Sequence, residues 1–237
     1  MISVITIYND KNVLENILLK SIAAQENCEY ETILVDTYSH GFTSAASALN
    51  FGASLAKGDY LIFIHQDVKF EGNDTLSTIE EFCKQNEFGI AGVAGLSFQK
   101  QSISKIYHGK NRILASKNND FNLPVEAISL DECLLIVPKK SFDGFSDLGD
   151  TWHLYGTDYT LKMKSKGKKA LIFPITLWHK SDGISLNLNY FDSIKSLCHL
   201  YRKEKVIYTL FGYWPTNPLK LNIKVLYRKF RFKKWGS

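Results

Sequence analysis

Three short apolar runs near the N-terminus, residues 3–8 (SVITIY), 31–35 (ETILV) and 60–64 (YLIFI), stop at or just before Asp10, Asp36 and Asp67. They are too short for helices and too continuously apolar for half-exposed strands, so each reads as a strand buried on both faces. Between them lie segments of helical spacing. Residues 13–23 carry Leu14, Ile17, Leu18 and Ile22, and the Ala-rich 44–56 is closed by Lys57-Gly58 as a C-cap. Strands alternating with helices predict βαβ units and a parallel sheet with helices on its faces. Ligands of such sheets bind outside the carboxyl ends of the strands, where the three aspartates stand.

The pattern continues with a helix over 74–85 and a strand over 90–96. Residues 99–122 are polar, rich in Ser, Asn and Lys, and read as an excursion: a flexible hairpin, an acceptor lid or a disordered stretch. Strands are then expected at 127–130, 133–137 and 170–173, and helices at 157–166 and 190–203, with a loop over 180–189.

Charge locates a separate feature. The chain of 237 residues carries a net +5, but residues 219–237 hold seven basic residues and no acid, leaving 22 basic against 24 acidic residues elsewhere. The excess is therefore a property of the tail, which argues against nucleic acid as a partner. The tail interleaves Lys and Arg with Leu221, Ile223, Val225, Leu226, Tyr227, Phe230, Phe232 and Trp235. That composition suits a basic amphipathic segment in an anionic membrane interface, or a helix that packs one stripe on the domain. No run approaches the roughly 20 apolar residues of a spanning helix, and no signal-type segment follows Met1. The expected location is cytoplasmic, with peripheral docking on the inner face of the membrane. Four scattered cysteines, Cys28, Cys83, Cys133 and Cys198, form no CxxC pair and read as buried thiols.

His65-Gln66-Asp67 is the most informative triplet, because a buried strand delivers it into solvent. A carboxylate and an imidazole there suit a divalent cation completed by diphosphate oxygens; the alternative is an Asp that caps the following segment.

The order SVITIYN, ILVDTYS and ALNFGASLAKGDYLIFIHQD resembles the nucleotide-sugar-binding half of GT-A-fold glycosyltransferases near family 2, in a branch with His-Gln-Asp in place of Asp-x-Asp. The resemblance implies an α/β, Rossmann-like single domain with a mostly parallel central sheet flanked by helices, plus a C-terminal helical, basic tail. It assigns residues 1–98 to the nucleotide-sugar-binding half, 99–189 to the acceptor-binding and catalytic half, and 190–237 to a C-terminal extension. It implies that Ile7, Tyr8 and Asn9 line the base and ribose, with His65 and Gln66 beside them. Asp36 would accept from the N3 of a uracil- or thymine-type base, so a UDP- or dTDP-sugar donor is favoured; otherwise it is a turn cap. Asn50 and Gly52 would let the helix approach the nucleotide, unless Asn50 holds a loop. Asp67 matches the metal-binding second Asp of the motif, for Mn2+ or Mg2+.

In the second half, residues 152–159 (WHLYGTDY) resemble the stretch of inverting enzymes in which a carboxylate at a helix start faces the acceptor. The match implies that Asp158 is the general base, and its alternative role is to offset the positive helix end. Trp152 and Tyr155 would line the donor and acceptor site. His179 matches a His that completes the metal sphere. Asp131 and Glu132 resemble an acidic pair that bonds donor sugar or acceptor, or else they cap a helix. The implied function is inverting, metal-dependent transfer from a nucleotide-diphosphate sugar to a glycan or lipid-linked acceptor. A nucleotidyltransferase of related fold and an inactive nucleotide-sugar-binding protein are the competing readings.

Overall fold

The computed structural model describes residues 1–181 and 187–235. Strand β1 (Ile2–Tyr8) leads into helix α1 over residues 11–22, whose middle, Leu14–Leu19, is π-wound. Strand β2 (Tyr30–Asp36), helix α2 (Ala45–Leu55) and strand β3 (Tyr60–Ile64) follow. β1 pairs in parallel with β2 on one edge and with β3 on the other, in a register that sets Tyr8 beside Asp36. Alternate side chains explain the continuous apolar runs of β1 and β3, whereas β2, expected to be buried on both faces, is the edge strand, with Val35 buried and Leu34 exposed. Ile2, Val4, Ile62 and Ile64 pack with Leu14, Leu18 and Ile22 of α1, whereas Ile5, Leu61 and Phe63 pack with Ala45, Leu49 and Ala53 of α2.

Strand β4 (Val68–Phe70), helix α3 (Thr75–Gln85), strands β5 (Ile90–Gly92), β6 (Ala94–Ser97), β7 (Ser102–His108), β8 (Ile113–Leu114), β9 (Val125–Leu130) and β10 (Leu134–Pro138) come next. They precede helix α4 (Tyr155–Ser165), strands β11 (Ala170–Ile172) and β12 (Thr176–His179), and helix α5 (Asn189–Leu200). Among the described residues the main sheet runs β2-β1-β3-β10-β5-β11-β9-β6-β7-β12-β4, with β8 beside β7. The α/β architecture matches expectation, but the parallel pairing does not extend across it. β10 is antiparallel to β3 and β5, β9 to β11 and β6, and β6 to β7. Between β5 and β10 the chain contains no crossover helix, so its strands meet as hairpins and reversals.

The polar stretch 99–122 is also more ordered than its composition suggests. β7 enters the sheet with Ser104 and Ile106 buried and its remaining side chains half-buried. The predicted single strand over 90–96 divides at Val93 into β5 and β6, and the helix expected over 190–203 stops at Leu200. All four thiols are free; Cys83, Cys133 and Cys198 are buried as expected, but Cys28 is only half-buried.

After α5, a hairpin of β13 (Val206–Thr209) and β14 (Gly212–Pro215) leads to helix α6 (Pro218–Trp235). Tyr190, Phe191, Ile194 and Leu197 of α5 form a third core cluster with Trp214, with Leu221 and Val225 of α6, and with Leu154 and Leu161 around α4. Among the described residues no helix is long and apolar enough to cross a membrane.

Gly52 shows how closely α2 lies on the sheet. A Cβ there would stand 2.7 Å from Ile5 Cγ2 and 3.2 Å from Val35 Cγ2. Its hydrogen thus serves helix-to-sheet packing and not approach to a nucleotide, which corrects the sequence expectation. Gly52→Ala is expected to destabilise the fold by about 1–3 kcal/mol through overpacking. Thermal unfolding checks it, since a fall of roughly 2–4 °C per kcal/mol is expected for a domain of this size.

Candidate active site

The carboxyl ends of β1 and β3 and the approach to α4 enclose a cavity of about 330 Å³. β1 contributes Ile7 and Tyr8, followed by Asn9; the β3 end contributes His65, Gln66 and Asp67; the α4 approach contributes Trp152 and Tyr155. Sequence reasoning named all eight. It missed Thr37, Ala45, His153 and Asn187, which also line the cavity. Of these, only His153 had a visible signal, its place in the aromatic loop before Asp158.

His179 reaches this site through strand pairing. β12 runs antiparallel to β4, with His179 opposite Val68, so a residue 112 positions away in sequence meets Asp67. The His179 Nε2–H donates to Asp67 Oδ1 at 3.1 Å. His65, Asp67 and His179 each offer a ligand atom, and these atoms lie within 4.8 Å of one another. Two imidazoles and one carboxylate so converged are a donor set fit for a divalent cation.

The electrostatics follow from burial and contact. Burial, with His179 beside it, pushes the His65 imidazole down to about 4, so it is neutral at neutral pH. Burial is the largest single influence on Asp67 and His179 and opposes charge on both, but their mutual hydrogen bond and the attraction of neighbouring opposite charges together outweigh it. Asp67 is held below its ordinary value and His179 above it. The His65 Nε2–H donates to the Tyr155 hydroxyl oxygen at 3.1 Å, and that hydroxyl donates to the Glu132 carbonyl at 3.1 Å.

Several expected ligand contacts turn out to hold the framework. Gln66 Oε1 accepts from the Asn9 and Asp10 N–H groups, each at 3.1 Å, and its Nε2 donates to Asn9 Oδ1 at 2.7 Å. Gln66 thus ties the turn after β1 to the end of β3. Asn50 donates to the Phe145 carbonyl at 3.0 Å and accepts from the Phe145 N–H at 2.9 Å, so it pins a loop and does not line the cavity. Asp36 caps its own turn, accepting from the Tyr38 and Ser39 N–H groups and from the Ser39 hydroxyl. The Ser39 contacts, then that of Tyr38, keep its carboxyl below the ordinary value. Thr37, not Asp36, lines the cavity.

Asp158 requires a correction. Its carboxyl is fully buried on α4, with Oδ2 accepting from the Ser146 N–H at 2.8 Å and Oδ1 from the Tyr201 hydroxyl at 2.7 Å. It does not line the cavity and cannot meet an acceptor hydroxyl in this arrangement. The group locks α4 to the loop at Ser146 and to the end of α5. Motif position alone does not reveal this, because the Tyr201 contact spans 43 residues.

Asp131 Oδ1 accepts from the Cys133 N–H at 2.9 Å, and Glu132 Oε1 accepts from the Leu154 N–H at 3.0 Å. Leu154 is left-handed (φ 76°), a costly conformation for a branched residue, and the Glu132 contact helps hold it at the start of α4. Of the two sequence readings, the Glu132 contact matches helix capping, at the start of α4, whereas the Asp131 contact holds the entry to β10 and caps no helix. Both also line a narrow crevice that shares His153 with the cavity.

Comparison with known proteins identifies the fold and the family. The fold is that of GT-A glycosyltransferases. It matches GalNAc-T7 with UDP, GalNAc and Mn2+ (TM-score 0.59, 12% identity, 83% of this chain and 47% of that one). It matches the Pyrobaculum calidifontis mannosyltransferase PcManGT in complex with GDP-Man and Mn2+ (TM-score 0.56, 14% identity, 85% and 63%). It also matches S. aureus TarS in complex with UDP-GlcNAc (TM-score 0.60, 13% identity, 83% and 65%). A glycosyltransferase-like family model matches residues 3–193, and the chain belongs to that family. A Fuscovulum blasticum protein described as "ATP synthase subunits region ORF 6" is 26% identical over 155 residues, covering 62% of this chain and 61% of that protein. The chain thus spans less than two thirds of each of these relatives.

Burial, with Asp131 adjoining, pushes the Glu132 carboxyl up to about 8. The folded state therefore keeps a proton that the unfolded chain loses near pH 4.3. Because the folded state binds more protons between these values, stability should fall as pH rises from about 4 to about 8. Glu132→Gln, which keeps the acceptor for Leu154, should flatten that slope in denaturant titrations across the range. An unchanged slope would refute the assignment.

Proposed function

We propose that the chain is a glycosyltransferase that moves a sugar from a nucleotide-diphosphate sugar to an acceptor hydroxyl, with inversion at the anomeric carbon. The observation that carries this reading is the His65, Asp67 and His179 cluster at a cavity walled by the end of β1. Mn2+ or Mg2+ bound there supplies Lewis-acid neutralisation of the leaving diphosphate. Ile7, Tyr8 and Asn9 form the wall for base and ribose. Asp36, beside Tyr8 at the strand ends though outside the cavity lining, retains acceptor lone pairs for a base N3–H, which favours UDP- or dTDP-sugars. Residues 1–98 then make the donor side, and residues 99–189, with Trp152 and Tyr155, the acceptor side.

An acceptor hydroxyl needs a proton acceptor as it attacks. His153 is the imidazole common to the cavity and the crevice of Asp131 and Glu132, and it takes this role in the proposal. No protein nucleophile is required, because attack comes from the face opposite the diphosphate.

The acceptor is a glycan or lipid-linked and is met at an anionic cytoplasmic membrane surface. α6 supports this reading with two opposed apolar stripes. Leu221 and Val225 are buried against the third core cluster, while Leu219, Ile223, Leu226, Tyr227 and Phe230 are exposed on the other side among Lys and Arg.

Thermal-shift panels of UDP-, dTDP- and GDP-sugars with and without Mn2+ test the donor. The expected result is stabilisation by a UDP- or dTDP-sugar that requires the metal. Nucleoside triphosphate binding with pyrophosphate release would overturn it. With a competent donor, His153→Gln should lower kcat by about 10²–10⁴-fold at unchanged Tm, whereas Asp158→Asn should lower Tm. A retained anomeric configuration by NMR of the product would end the inverting assignment.

Vesicle sedimentation tests the tail. Phosphatidylglycerol vesicles should bind the protein and phosphatidylcholine vesicles should not. The combined Ile223→Ser, Leu226→Ser and Phe230→Ser variant should lose binding while keeping its Tm. Truncation from Leu219 is the poorer test, because it also removes Leu221 and Val225 from the core.

A further inference from the structure

Nothing in the family motif explains why His65 stands where a first acid is expected. Its surroundings do. The Tyr155 hydroxyl has a single hydrogen, which it donates to the Glu132 carbonyl, a group that can only accept. Toward His65 the same hydroxyl must therefore accept, so the His65 Nε2 carries the proton. The other ring nitrogen then holds the lone pair that a cation needs. Fixing a ligand's tautomer through its second nitrogen is how metal-binding histidines are commonly oriented. Tyr155 is suited to this because its ring is almost fully buried, packed edge-on against Phe145.

We propose that His65 is a metal ligand and that Tyr155 is its positioning residue. The resulting two-imidazole, one-carboxylate centre takes first-row transition-metal ions in preference to Mg2+. This deepens the reading of the cluster as the metal centre. The reason lies in the donors. Mg2+ is a small, hard ion that seeks an octahedron of oxygens, and one carboxylate oxygen offers little of that. Imidazole nitrogen favours transition metals, whose affinity for such sites rises from Mn2+ to Co2+. An Asp at position 65 would supply a second carboxylate and bring Mg2+ back into competition.

The test uses the full chain and the metal ions alone, so it does not depend on donor, acceptor or transfer. Calorimetric titration is expected to rank affinity Co2+ above Mn2+ above Mg2+. His65→Asp should reduce the ratio of Co2+ to Mg2+ affinity by about tenfold or more. Tyr155→Phe should weaken Mn2+ binding by about 10–100-fold, as loss of such a supporting contact commonly does. Pulsed electron paramagnetic resonance of the Mn2+ complex of the unaltered protein should show nitrogen couplings from two imidazoles, and one in His65→Gln. This readout stands even if a variant folds poorly. Mg2+ binding as tightly as Co2+, couplings from one imidazole in the unaltered protein, or no Mn2+ binding at all would each overturn the proposal. Unchanged Mn2+ affinity in Tyr155→Phe would remove Tyr155 from it. Failure of sugar transfer with these metal results intact would instead count against the transferase reading.

Discussion

The cavity depends on β1 being paired on both edges and covered on both faces. With β2 and β3 as parallel neighbours, and α1 and α2 packed on opposite sides, β1 has no freedom to slide. A shift of one residue would turn Ile5 and Val4 to the wrong faces. The strand therefore delivers Tyr8 and Asn9 to a defined place beside the end of β3. Gln66 then joins the two ends through three hydrogen bonds. Gly52 belongs to the same constraint, since any side chain there would push α2 off the sheet.

Polar groups around the site divide into those that face the cavity and those that hold it open. His65, Asp67 and His179 converge as a cluster whose members set one another's charge: His65 is neutral, while Asp67 and His179 share a proton-mediated contact. Behind them, Tyr155, Glu132, Asn50 and Asp158 satisfy backbone and hydroxyl partners in the walls. A buried polar group left without a partner is costly, so such residues are as constrained as any ligand. This is why motif positions can stay occupied by the same residue types while doing framework work.

Sequence reasoning went furthest where the physics is local. A buried strand announces itself by an unbroken apolar run, and its carboxyl end by the first acid or turn residue. His65, Gln66 and Asp67 were accessible this way because they sit at a strand end, whereas Ile7, Tyr8, Asn9, Trp152 and Tyr155 were reached through the resemblance of their motifs to the family's. It went wrong where the deciding contact is remote. Asp158 meets Ser146 and Tyr201, and Asn50 meets Phe145, across separations that no motif encodes. Of the readings given to 99–122, a hairpin fits the antiparallel pairing of β7 with β8, while composition concealed how far β7 joins the main sheet, because an alternating strand with one buried face can be mostly polar. The sheet's mixed pairing escaped notice because strand runs do not state their direction.

By itself, then, the sequence determined the parallel βαβ opening, the strand-end placement of His65 and Asp67, the cationic character of the tail, and membership in a glycosyltransferase-like family. Hydrophobic periodicity and charge carry the first three and the matched motifs carry the last, and all of these are written residue by residue. Tertiary structure alone decided that β12 lies against β4 and so completes the His65, Asp67 and His179 cluster, and that Asp158 is a buried lock. It likewise decided that α6 packs one apolar stripe and exposes the other. Each of these depends on contacts between segments far apart in the chain, and such contacts exist only once the sheet has closed.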